Sequence, residues 1–157
     1  MDSPALQRGV RIGVDVGKAR VGLARSDADG LLATPLKTLA RSKVPPFKDV
    51  QSIIELTQSE PVKVIYVGLP MHLNGSEGQA CKDARAFAAR LSRALLEVEV
   101  RMVDERLTTV SAHQALQAAG VDSRSHRVVV DQVAAVFILE AALDFERSHG
   151  VRAGELV

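Results

Sequence analysis

The chain has one cysteine, no tryptophan, and only four phenylalanines and one tyrosine among its 157 residues. A single thiol, Cys81, rules out an intramolecular disulfide and points to a cytosolic setting. Cys81 lies in the helical stretch "GQACKDARAFAARL" and reads as a packing residue, not a nucleophile. So few aromatic rings argue against single-strand binding by base stacking alone. Neither sign of charge is in excess: 20 basic and 19 acidic side chains leave a formal +1. A globally basic nucleic-acid binder is therefore not signalled, and any polyanion must be held by local patches. No apolar run reaches the roughly 18 residues of a membrane span. The opening "MDSPALQRG" lacks the apolar core of a secretion signal.

What is present is an ordinary globular composition, 46% hydrophobic and 25% charged. Val10, just before "RIGVDVGKARVGLA", alternates with Ile12, Val14 and Val16 inside it, which predicts a strand over 10–16. "GKAR" turns it into a second strand, Val21 to Arg25, and "SDADG" turns that into a third, "LLATPLKTL". Phe47, Val50, Ile53, Ile54 and Leu56 follow at helical spacing and predict a helix to about Ser59. "VKVIYVGLP" reads as a central parallel strand, buried on both faces. After the Gly-rich loop "HLNGSEGQ", Ser76 is the expected N-cap of a helix to about Leu96. "VEVRMVDE" is a fifth strand. A helix from Thr108 or Thr109 to Gly120 follows it, then a polar loop "VDSRSHR" and a last helix from near Val130 to Phe145. The order βββαβαβαα predicts one mixed sheet with helices on both faces. It predicts a single domain over 1–157, with 1–9 and 148–157 flexible.

Three acids sit in awkward places. Asp15 interrupts the first strand on the face opposite its valines, flanked by Gly13 and Gly17, which strip side chains from that face. A carboxylate there is costly unless it is paired, hydrogen-bonded or bound to metal. Asp104 and Glu105 end the fifth strand, where ligands of α/β sheets gather. Periodicity does not choose between them, because neighbours point to opposite faces. Asp131 heads a helical face otherwise made of Ala134, Ala135, Ile138 and Ala142. A turn, a helix cap or a helix dipole could account for each acid singly. A metal cage accounts for all of them together, because Mg²⁺ and Mn²⁺ seek carboxylate oxygen. Two such ions, about 4 Å apart, could clamp the attacking and leaving oxygens of a phosphodiester.

Each acid has bases beside it: Lys18 and Arg20 after Asp15, Arg106 after Glu105, and Arg124, His126 and Arg127 before Asp131. The implied substrate is polyanionic, and phosphate is the obvious choice. The loop "LNGSEG", with Asn74, is expected to approach a phosphate or shape the substrate groove.

"GVDVGKARVGLA", "VGLPMHLNGSEGQA", "DERLTTVSA" and "VDQVAAVFILEAAL" together resemble the YqgF/RuvX family of Holliday-junction resolvases, within the RNase H-like superfamily. The resemblance runs from about Arg11 to Asp144. It implies an RNase H-like fold, a five-stranded mixed sheet with the first strand central and helices flanking it. It implies that Asp15, Glu105 and Asp131 are the acidic residues of a nuclease site holding Mg²⁺ or Mn²⁺, and so settles on Glu105. Members are associated with maturing the 5′ end of pre-16S ribosomal RNA in the cytoplasm. The expected partner is nucleic acid, RNA or branched DNA, and not a membrane, with the protein a monomer or homodimer. Many members carry a lysine-rich loop before the final Asp. Here "SRSHRVVVD" has Arg124, His126 and Arg127 instead.

Two other classes fit parts of the pattern. "GVDVGKARVG" also looks like the phosphate-binding hairpin of actin-like and sugar-kinase ATPases. Those sandwich a nucleotide between two such domains, and 157 residues supply one. A non-catalytic RNA- or DNA-binding module on a nuclease fold is the third reading, against which only the three acids argue.

Overall fold

A computed structural model describes residues 6–106 and 123–157, with the backbone alone for 123–130. Strands β1 (Val10–Val16), β2 (Arg20–Ser26) and β3 (Ala33–Ala40) form an antiparallel meander. Helix α1 (Lys48–Ser59) leads to β4 (Val62–Leu69), which lies parallel to β1. Helix α2 (Gln79–Ala94) leads to β5 (Glu99–Asp104), parallel to β4. Helix α3 (Ser123–His149) and a two-residue strand β6 (Glu155–Leu156) complete the described chain. The sheet order is β3-β2-β1-β4-β5-β6.

Strand alternation divides the core in two. Ile12, Val14 and Val16 of β1 point with Val21, Leu23, Ile65 and Val67 toward α1 and α2, meeting Ile53, Phe87 and Leu91. The opposite face carries Ala24, Val64, Tyr66 and Val103 under Ala135, Ile138, Leu139 and Leu143 of α3. This second face of β1 reads Arg11, Gly13, Asp15. Arg11 is buried and donates from Nε and Nη2 to Glu146 of α3, at 3.1 and 3.0 Å. Gly13 lets the helix touch the sheet: a Cβ there would lie 2.6 Å from the Ala135 carbonyl oxygen. Gly22 of β2 does the same further on, where a Cβ would collide with the carbonyl of Asp131. The space that Gly13 leaves free of side chains on that face is therefore filled by α3 and is not open to a ligand.

Three further expectations change, and one is not reached by the described residues. The sheet has six strands, not five, because the tail read as frayed runs back antiparallel to β5. Long-range contacts hold it: Ala153 is buried, its amide donates to the Tyr66 hydroxyl, and its carbonyl accepts from Arg101 Nε at 2.6 Å. The segment "SRSHR", read as loop, is the first part of α3. No Gly or Pro interrupts 123–149, so the ladder of i→i+4 bonds runs through. Gly78, not Ser76, stands at the N-cap of α2. The helix expected between Thr108 and Gly120 lies outside the described residues.

If α3 is seated through Gly22, then Gly22→Ala forces the helix outward. Overpacking of this kind costs about 1–3 kcal/mol, which lowers the melting temperature by about 2–4 °C per kcal/mol at this size. An unchanged melting temperature would mean that α3 does not rest on β2 there.

Candidate active site

Asp15 is the second-to-last residue of β1, and both of its cross-strand neighbours are glycines. Gly22 pairs with it directly on β2. On the other side Val14 pairs with Val67 of β4, so Gly68 lies beside Asp15. With no side chains at either position, two other carboxylates can approach. A Cβ on Gly68 would lie 2.7 Å from the Glu105 carboxyl carbon. A Cβ on Gly22 would run into the backbone of Asp131.

The structure separates the two acids that periodicity left equivalent. Asp104 is exposed, and Arg106 closes on it, with Nε at 2.8 Å and Nη2 at 2.6 Å from Oδ2. Glu105, one residue past the end of β5, is buried, its amide donating to the Leu69 carbonyl at 3.1 Å. It continues the alternation of Val103 and so turns to the α3 face, which is the face of Asp15. The Asp15 and Glu105 side chains are in hydrogen-bonding contact. Asp131, on α3 above Gly22, is near enough for its charge to act on Asp15. Its own Oδ2 accepts from Arg20 Nε at 2.7 Å.

This crowding sets the electrostatics. Asp15 is pushed up to about 7, first by burial and then by the Asp131 charge, with the Glu105 contact pulling the other way. It nonetheless keeps part of its surface open to solvent. Two carboxyls in hydrogen-bonding contact require a proton between them, and that proton belongs to the Asp15–Glu105 pair as a whole. One proton and one guanidinium thus offset two of the three carboxylate charges.

Three carboxylates offer only hard oxygen donors, the chemistry that Mg²⁺ and Mn²⁺ take. As they stand, no three acidic, histidine or cysteine side chains among the described residues form a set able to hold an ion. The expected three-sided cage is therefore open: like charges repel unless a cation joins them, and here Asp131 is paired with Arg20. The donor set fits a hard divalent ion once the proton and the guanidinium are exchanged.

The expected phosphate-gripping bases divide. Lys18 is exposed at the tip of the β1–β2 turn. Arg20 and Arg106 are both engaged by acids, with about a third of each side chain still open to solvent (34% and 35%). Asn74 uses its side-chain oxygen on its own loop, accepting from the Ser76 amide and hydroxyl at 2.9 and 2.7 Å. That explains why Ser76 caps no helix. The side chains of Arg124, His126 and Arg127 lie outside the described residues. Gly22 and Gly68, which the sequence reading did not single out, are what give Asp15 its neighbours. No periodic signal marks them, because their partners come from other strands.

Residues 9–145 match the family model described as RuvX: Holliday junction resolvase. A Rhodococcus opacus (strain B4) protein named "Putative pre-16S rRNA nuclease" is 48% identical over 99% of this chain and 87% of its own length. A Streptomyces avermitilis protein of the same name is 47% identical over 96% of this chain and 95% of its own. Among solved structures, T. thermophilus RuvC in complex with a Holliday junction substrate aligns with a TM-score of 0.57 at 15% identity, over 95% of this chain and 99% of that one. That likeness shows the fold, which is RNase H-like.

The raised Asp15 has a consequence for stability. Between its unfolded value near 3.9 and its folded value of about 7, the folded chain binds more protons than the unfolded one. Stability is therefore fullest below about pH 4 and falls as the pH rises through about 7. Asp15→Asn removes the charge and keeps a donor for Glu105. In divalent-free buffer at pH 8 it should melt above the parent by about 4 °C or more, and the gain should shrink toward pH 4. A variant that melts lower at pH 8 would contradict the crowded, unneutralised carboxylate.

Proposed function

Since the chain belongs to the RuvX family, we propose that it is a divalent-metal-dependent nuclease acting in the cytoplasm on the 5′ end of pre-16S ribosomal RNA. One observation carries the reading: Asp15, Glu105 and Asp131 come from β1, the end of β5 and α3 to the same pair of glycine gaps, and their charges are under-compensated. Asp15 is central, touching Glu105 and feeling Asp131, so it is the residue suited to bridge. All three would hold the metal. When bound, Mg²⁺ or Mn²⁺ would supply positive charge where negative charge grows on the phosphoryl oxygens.

The chain's own groups have three tasks. Asp15 gives up its proton as the site is loaded. Arg20, partly open to solvent, passes from Asp131 to a substrate phosphate, so that its guanidinium charge is used twice. Lys18, on the same turn, meets the backbone further along. No described helix is long and apolar enough to cross a membrane.

A second reading, cleavage of four-way DNA junctions, is favoured by the family's description. A monomer suffices for RNA ends, whereas a two-fold junction calls for a homodimer.

The test sets both substrates side by side, with Mg²⁺ and with Mn²⁺. The parent should cut structured rRNA precursor faster than a four-way junction, and Asp15→Asn and Glu105→Gln should each lose at least about a thousandfold while still binding. Cleavage by either variant within tenfold of the parent would remove these acids from the site. Preference for the junction, with a dimer in solution, would select the second reading.

A further inference from the structure

The turn between β1 and β2, residues 17–19, bears Lys18 and joins Asp15 to Arg20. A three-residue turn containing a glycine would ordinarily be among the looser parts of a fold. Here it is fastened from below. Arg41, just past β3, donates from its backbone amide to the Ala19 carbonyl at 3.0 Å and from Nε to the Gly17 carbonyl at 3.0 Å. Its Nη1 donates to Asp49 Oδ2 at 3.2 Å, an oxygen that also accepts from the Ser42 amide. This ion pair is withdrawn from water, with 5% of the Arg41 side chain exposed and none of Asp49. The guanidinium also stands 5.6 Å from the centre of the Phe87 ring of α2.

We infer that Arg41, held by Asp49, is a positioning residue that fixes the β1–β2 turn and so sets Asp15 and Arg20 against Asp131. Burying an ion pair is rarely worth its desolvation as a source of stability. This one ties α1, α2 and the end of β3 to the Gly17 carbonyl of the turn, beside the Ala19 carbonyl that the Arg41 backbone amide holds. A planar guanidinium can reach the Gly17 carbonyl and Asp49 at once, and an ammonium is a single point charge without that fork. The effect on catalysis rests on the nuclease reading, and the effect on the turn does not.

The structure supplies a matched control. Arg11–Glu146 is equally buried, on the same strand, at the end away from the site. Arg41→Lys and Arg11→Lys are compared at a temperature below both melting transitions, with Asp49→Asn as a second break of the same strut. Two readouts are taken: single-turnover cleavage of the rRNA precursor at saturating enzyme, and hydrogen exchange of the Gly17 amide, which donates to the Arg20 carbonyl at 2.8 Å. Arg41→Lys and Asp49→Asn should slow cleavage by about tenfold or more and speed Gly17 exchange by a similar factor, while Arg11→Lys changes each by less than about threefold. Equal losses in Arg11→Lys, or Gly17 exchange unchanged in Arg41→Lys, would overturn the inference. If the parent cuts nothing, the nuclease reading fails alone, and Gly17 exchange still decides whether Arg41 holds the turn.

Discussion

A carboxylate placed inside a sheet, beside a second carboxylate and within reach of a third, is the constraint around which this fold is arranged. Asp15 cannot be moved to the surface without moving β1, the strand through which both halves of the core are joined. Its neighbours on β2 and β4 must be glycines, or Glu105 and Asp131 could not reach it. Its pKa is pushed up to about 7, so the side chain is partly protonated near neutrality.

The same face of β1 shows what a satisfied charge looks like. At one end Arg11 meets Glu146, and Arg152 and the Tyr66 hydroxyl complete that carboxylate's bonding. At the other end Asp15 meets Asp131, and no opposite charge is supplied to Asp15 itself among the described residues. Between them Gly13 lets Ala135 and Leu139 press onto the strand. One helix thus docks on one strand through a compensated pair, a close backbone contact and an uncompensated pair. The close backbone contact seats α3 beside Asp15, whatever the state of the pair at the far end of the strand.

Much of this was legible in the residue order. Strand alternation placed Asp15 against its valines, and helical spacing placed Asp131 on the face of Ala135 and Ile138. Local patterns also marked the bounds of β1, because its signals lie within one strand. What stayed hidden depends on partners far along the chain. Glu105 and Asp104 are told apart only by which face of β5 meets α3. Gly22 and Gly68 matter only because they flank Asp15 across the ladder. Arg41 and Asp49 look like loop and helix-start charges until the β1–β2 turn is seen to rest on them. The tail after His149 reads as frayed because its hold comes from Tyr66 and Arg101, some fifty to ninety positions away.

If Asp15 is held partly protonated near neutrality by its neighbours, it yields that proton when a divalent ion arrives. Calorimetric titration with Mn²⁺ in buffers of differing ionisation enthalpy counts the protons released on binding. With Asp15 at about 7, the count should be about half a proton per chain at pH 7 and should approach one near pH 6 and zero near pH 8.5. It should vanish in Asp15→Asn. Tight Mn²⁺ binding with no proton released between pH 6 and 7 would contradict the claim.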